Sequence, residues 1–143
     1  MFSDNKIIGK AGEEIACIYL KRHGYTIISR NYTCRFGEID IIASIRDSIF
    51  FIETKTRRSL SAGNPEESVN FYKVQKIKKV IDYFLFENTG LGSLNLFISI
   101  ISIILSRQCA IAILISSEKE LINYEIFEED KDYFVKHFKN IDE

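Results

Sequence analysis

Four charged side chains interrupt the most apolar hairpin-like stretch of this chain: Glu38, Asp40, Glu53 and Lys55 in GEIDIIASIRDSIFFIETK, residues 37–55. Folding about the short polar run Arg46-Asp47-Ser48 sets Asp40 opposite, or nearly opposite, Glu53. Opposed residues of an antiparallel pair have Cβ atoms about 5 Å apart. Two carboxylates at that separation repel by roughly 3 kcal/mol at an effective dielectric of about 20. A hard divalent cation relieves the repulsion, because Mg²⁺ takes oxygens from one or two carboxylates and fills its shell with water and substrate phosphate. Cys and His, which softer metals prefer, are absent from the stretch. Lys55 beside such an ion suits phosphodiester hydrolysis: the metal lowers the pKa of a bound water and the ammonium meets developing negative charge. Two carboxylates also perform acid–base chemistry on sugars, but that chemistry needs no lysine. The alternative is a salt-bridged cluster on an edge strand, where sheets do carry charge. Asp-x12-Glu-x-Lys alone does not choose between these readings.

The elements that must hold these residues follow from periodicity. Residues 37–45 and 49–56 form the hairpin, and YTIISRNY, 25–32, reads as a strand before it. Within 6–23, Ile8, Ala11, Ile15, Ile18 and Tyr19 share one helical face. Lys21, Arg22 and His23 suit the negative end of that helix and Gly24 stops it, which gives His23 a structural reason to exist. Glu13 falls at the margin of the apolar face, turned toward the hairpin, or else it is a solvated acid complementing the helix dipole. Asn64-Pro65-Glu66-Glu67 carries the cap signals of a second helix running to about Phe86. Val69, Val74, Ile77, Ile81, Phe84 and Leu85 are its apolar stripe. Phe71, Tyr72, Tyr83 and Phe84 have the chemistry to stack on bases, but their helical spacing favours the core. Lys76, Lys78 and Lys79 read equally well as a solvated face.

Leu94–Ser116 is long enough to cross a bilayer. Arg107 and Gln108 interrupt it, so two buried strands, 96–105 and 109–116, joined by Ser106-Arg107-Gln108, fit better. A strand near 121–127 and a short helix near 130–139 end the chain. The order α-β-β-β-α-β predicts an α/β fold, a mixed sheet flanked by helices. One domain spans 1–143, with its core at 6–105 and strands and a helix in 106–143.

Composition agrees: 46% hydrophobic and 27% charged residues are ordinary for a globular protein. The N-terminus has no apolar signal region, and Cys17, Cys34 and Cys109 lack disulfide or zinc spacing, so a cytoplasmic protein with reduced thiols is expected. The net charge of −1 averages a basic stretch, Lys55 to Lys79, and an acidic one from Glu118 onward.

A set of residues then narrows the reading: Gly9-x-x-Gly12-Glu13-x-x-Ala16, Tyr19-Leu20, Gly24-Tyr25, Arg30-Asn31, Gly37-Glu38-Ile39-Asp40, Phe51-Ile52-Glu53-Thr54-Lys55-Thr56-Arg57, and Lys73. Over roughly residues 6–86 the chain resembles the YraN family, small bacterial proteins with a restriction-endonuclease-like, PD-(D/E)XK fold related to Holliday-junction resolvases. The resemblance implies an αβββαβ core and a metal site of Asp40, Glu53 and Glu13 for Mg²⁺ or Mn²⁺. It also implies Lys55 as the catalytic lysine, with Lys73 and the arginines after the motif, Arg57 and Arg58, facing phosphates. Lys76 joins them on charge alone. Departures from the family pattern are Thr54 where Val is usual, Thr33 where Arg is common, and Phe97-Ile98-Ser99 in place of Arg-Phe-Asp.

Three functions are therefore in view. The first is a metal-dependent nuclease hydrolysing phosphodiester bonds in branched or single-stranded DNA. The second is a nucleic-acid-binding protein on a nuclease scaffold that no longer cuts. The third is a membrane or protein-interaction role centred on 94–116, and the partner expected is nucleic acid, DNA above all, without membrane, with a homodimer left open.

Overall fold

A computed structural model describes residues 4–58, 70–105, 110–111, 113–114 and 133–139. Seven elements follow one another: α1 (Asp4–Arg22), β1 (Thr26–Cys34), β2 (Gly37–Ile45), β3 (Ser48–Arg57), α2 (Phe71–Glu87), β4 (Asn95–Leu105) and β5 (Tyr133–Phe138). They build a five-stranded mixed sheet in the order β1-β2-β3-β4-β5. β1, β2 and β3 pair antiparallel through tight turns, and Arg46 takes a φ of 52° in the second of them. β3 and β4 run parallel, which a tight turn cannot achieve, so the chain crosses over through α2. The α/β fold with an αβββαβ core is as expected.

Each helix covers one face. Ile8, Ala11, Ile15 and Ile18 of α1 pack on Ile41, Ala43, Phe50, Ile52, Ile101 and Ile103. Ile77, Val80, Ile81 and Phe84 of α2 pack on Ile39, Ile42, Ile49, Phe51 and Ile98. β3 and β4 are thus covered on both sides, which explains their nearly continuous apolar runs. His23 ends α1 with its Nδ1 2.8 Å from the Tyr19 carbonyl oxygen, a capping role.

Gly12 is where α1 touches the sheet most closely. A Cβ there would come within 2.8 Å of the Thr56 Cβ on β3, an atom that no side-chain rotation can move. Gly12→Ala gains about 1 kcal/mol of helix propensity but overpacks this contact at about 1–3 kcal/mol. Net destabilisation is the expected result of urea denaturation. A variant as stable as the wild type would show that α1 can lift without cost.

Four expectations are corrected. α2 begins at Phe71, where Asn70 is its N-cap: extended at φ −100°, ψ 178°, it accepts the Lys73 N–H. The Asn64–Glu67 signals lie outside the described residues. Phe71 and Tyr72 consequently sit in the first turn, beyond the layer that α2 covers, and are 70% and 81% exposed rather than core. Ala110, Ile111, Ile113 and Leu114 are helical rather than a strand; Ala110 and Ile113 are buried, three residues apart on one face. Residues 133–138 form β5, not a helix, pairing antiparallel with β4 from Ile100↔Phe138 to Leu105↔Tyr133. Its His137 reaches Ser99 at 3.2 Å and lies among the rings of Tyr19, Tyr25 and Phe50. The expected strand at 121–127, the turn at 106–108 and Cys109 lie outside the described residues. Among the described residues no helix is long and apolar enough to cross a membrane.

Candidate active site

Two irregularities open the sheet at Asp40. The β2–β3 ladder ends at Ile41↔Ile52, although the same register continued by one residue would bring Asp40 to Glu53. On the other side, the β1–β2 ladder passes from Arg30↔Ile41 to Tyr32↔Ile39, and Asn31, between them, has a φ of 52°. Strict alternation fails here: Ile39 belongs to the α2 layer, but Ile41 and Ala43 belong to the α1 layer. Plain period-two alternation would have put Ile39 on the face of Ile41. The break frees Asp40 from the pleat.

Asp40 then reaches β3. Its Oδ2 accepts the Thr54 backbone N–H at 2.9 Å and the Thr54 Oγ1 hydroxyl at 3.0 Å. β3 itself is rigid at this level, hydrogen-bonded to β4 as far as Arg57↔Ile104. Glu53 and Lys55 are thus fixed by a central strand, and Asp40 is fixed to that strand by Thr54.

Electrostatics follow from this crowding. Burial and the neighbouring Asp40 charge push the Glu53 carboxyl up to about 7, with Lys73 and Lys55 pulling the other way. Asp40 also favours the protonated form of Glu53 through its side chain. Lys73 of α2 approaches Glu53, Nζ to Oε2, at 4.0 Å. Burial lowers the Lys55 pKa, as do the charge and hydrogen bond of Lys73, against the opposing pull of Glu53 and Asp40.

Glu13 does face this cluster from α1. Its pKa is raised by burial first and by the Asp40 charge second, and the Arg30 charge, then the Asn31 side chain, offset part of the rise. The next residue, Glu14, pairs with Arg30 at 2.7 Å. Among the described residues no three His, Cys, Asp or Glu side chains close on one point as a metal cage. Glu53 and Glu13 both feel the Asp40 charge, Glu53 from β3 and Glu13 from α1. Arg57 ends β3, Arg58 follows it exposed, and Lys76 lies one turn beyond Lys73 on α2.

Sequence reasoning missed Thr54 and Asn31. Thr54 reads as an inert replacement because alternation turns it away from Glu53; only the release of Asp40 brings the two together. Asn31 carried a signal, since Asn tolerates positive φ better than other side chains.

A hard cation fits this pair on the chemistry of its donors. Burial and the Asp40 charge favour a proton on Glu53, and a divalent ion takes over that charge-balancing role when it displaces the proton.

The family model described as "Uncharacterised protein family UPF0102" matches residues 12–113. A UPF0102 protein of Caldicellulosiruptor bescii is 52% identical over 80 residues, covering 56% of this chain and 67% of that protein. One of Dictyoglomus turgidum is 45% identical over 103 residues, 72% of this chain and 86% of its own length. One of Chlorobium phaeobacteroides is 51% identical over 86 residues, 60% and 68% of the two chains. The matched residues run from the second half of α1 through the hairpin and α2 to the end of β4 and beyond, and this chain belongs to the UPF0102 family, the YraN family that its hairpin motifs resemble.

Proposed function

We propose that the protein is a metal-dependent nuclease that hydrolyses phosphodiester bonds in DNA. One observation carries the reading: the Asp40 charge and burial crowd Glu53 at a break in the sheet and push its carboxyl up to about 7, with Lys55 and Lys73 beside it. Asp40 and Glu53 would hold Mg²⁺ or Mn²⁺, and the ion when bound supplies an acidified water and neutralises phosphoryl charge. Thr54 fixes the Asp40 carboxylate, so the pair is preorganised on the strand. Lys55 offers an ammonium where negative charge develops on the phosphoryl oxygens or leaving group. Lys73, Lys76, Arg57 and Arg58 would hold flanking phosphates, with an affinity that falls as salt rises. Glu13 would tune the Asp40 charge from α1.

A second reading, binding without cutting, draws support from Lys73, whose ammonium already lies 4.0 Å from Glu53. A lysine there substitutes in part for a metal.

Titration calorimetry with Mg²⁺ or Mn²⁺, paired with cleavage of labelled DNA, decides between them. The nuclease reading expects metal binding and cleavage in the wild type, both lost in Asp40→Asn/Glu53→Gln. Salt-sensitive DNA binding with neither metal binding nor cleavage would establish the second reading.

A further inference from the structure

A cavity of about 530 Å³ opens between α2 and the β1–β2 turn, with Glu53 at one side of it. It shares Glu53 with the carboxylate pair, and Glu38 also lines it. Phe36, Ile77 and Val80 give it an apolar floor, and Arg35, Lys73 and Lys76 bring three cations to it. Arg35 and Lys76 are exposed. The Arg35 guanidinium lies over the Phe36 ring, 4.7 Å from its centroid, so that ring already takes a flat cationic partner on its face. Tyr72, 81% exposed, precedes Lys76 by one helical turn.

We infer that this cavity binds one unpaired nucleotide of a polynucleotide strand, its base on Phe36 and its phosphates on Lys73 and Lys76, beside Glu53. The inference rests on the nucleic-acid reading above and names the form of its substrate. The argument is one of shape and polarity. Pockets for small ligands span about 300–1,000 Å³, so a single base with its sugar fits where a base pair does not. A nucleotide pairs a flat apolar face with an anion, and the cavity pairs an aromatic floor with three cations. Bases offer their faces only when unstacked, as in single strands, loops and flipped nucleotides. Duplex DNA presents phosphates alone, and these would engage the lysines without filling the floor.

Fluorescence anisotropy in EDTA tests this without any cleavage. The probes are an oligothymidylate of about 15 nucleotides, a blunt duplex of the same length, and an oligouridylate. Single strands are expected to bind about tenfold more tightly than duplex, the scale of one base stacked on an aromatic ring. Phe36→Leu keeps the apolar packing but removes the ring face, and should cut that preference to about threefold or less. Lys76→Ala, at an exposed position, should weaken every probe and flatten the salt slope by about one unit. Tighter binding of oligouridylate than oligothymidylate supports the pocket and assigns its strand to RNA. Equal affinity for duplex and single strand, or a full preference retained by Phe36→Leu, overturns the inference. Metal-dependent cleavage of single strand and duplex at equal rates would leave the nuclease reading standing and remove the pocket. Single-strand preference without cleavage would do the reverse.

Discussion

Lys55→Ala should lose about 10²–10³-fold in DNA cleavage, the usual consequence of removing one preorganised donor from a site of charge development, while retaining its metal affinity. The two halves of this expectation have different origins. Lys55 lies two residues beyond Glu53 on β3 and feels both carboxylates, which oppose the fall in its pKa. It is a cation and donates no ligand oxygen, so its loss removes a competitor for the Asp40–Glu53 pair. Metal binding should hold or tighten. Lys55→Arg separates the two ways the ammonium can act. Arginine restores the charge but does not give up a proton near neutral pH, so partial recovery means electrostatic stabilisation and no recovery means proton transfer. Lys73→Ala is the companion measurement: it relieves Lys55 of a like charge and raises its pKa, shifting any Lys55-dependent limb of the pH profile upward. Wild-type cleavage by Lys55→Ala would remove Lys55 from the chemistry altogether.

How far the sequence reached depended on which physical rule governed each residue. Period-two alternation and a polar turn fixed the β2–β3 hairpin, and helical periodicity with a glycine stop fixed α1. The order of elements through β4 followed from these. Ala110, Ile111, Ile113 and Leu114 are helical where a strand is expected because a continuous apolar run fits a buried strand and a buried helix equally. The start of α2 was misread because Asn70 caps as well as Asn64 does, and only the accepted Lys73 N–H distinguishes them. Phe71 and Tyr72 showed the same limit: helical spacing states which face a residue occupies, but not whether any layer lies above that turn. At the candidate site, the nearness of Asp40 to Glu53 was legible from register. The break that turns Asp40 onto Thr54 was not, because it arises from Asn31 and the divergence of two ladders, neither of which has a period.

The metal-free protein should be stabilised by Glu53→Gln above neutral pH, by about 3 kcal/mol, and hardly changed below pH 4.5. The sign follows from where the proton is held. In the unfolded chain this carboxyl titrates near its ordinary 4.5, but in the folded protein it titrates at about 7. Between those values the folded state binds a proton that the unfolded state has lost, so stability falls as pH rises. Above about 7 the full cost is present: a half-buried carboxylate faces Asp40, and the half-exposed Lys73 contact returns little of it. Glutamine removes the charge and the cost together. Mg²⁺ should reverse the order, because its binding must expel the proton that Glu53 holds below about pH 7. Affinity should then climb about tenfold per pH unit below 7 and level off above it. Calorimetric melting at pH 5, 6 and 8, in EDTA and in Mg²⁺, reads both effects. Wild type should gain stability from Mg²⁺ at pH 8, and Glu53→Gln should gain none. A Glu53→Gln protein less stable than wild type at pH 8 in EDTA would mean that the carboxylate is held by its lysines as a salt bridge. The cluster would then be a salt-bridged stabiliser of the central strands, with no stored repulsion for a cation to relieve.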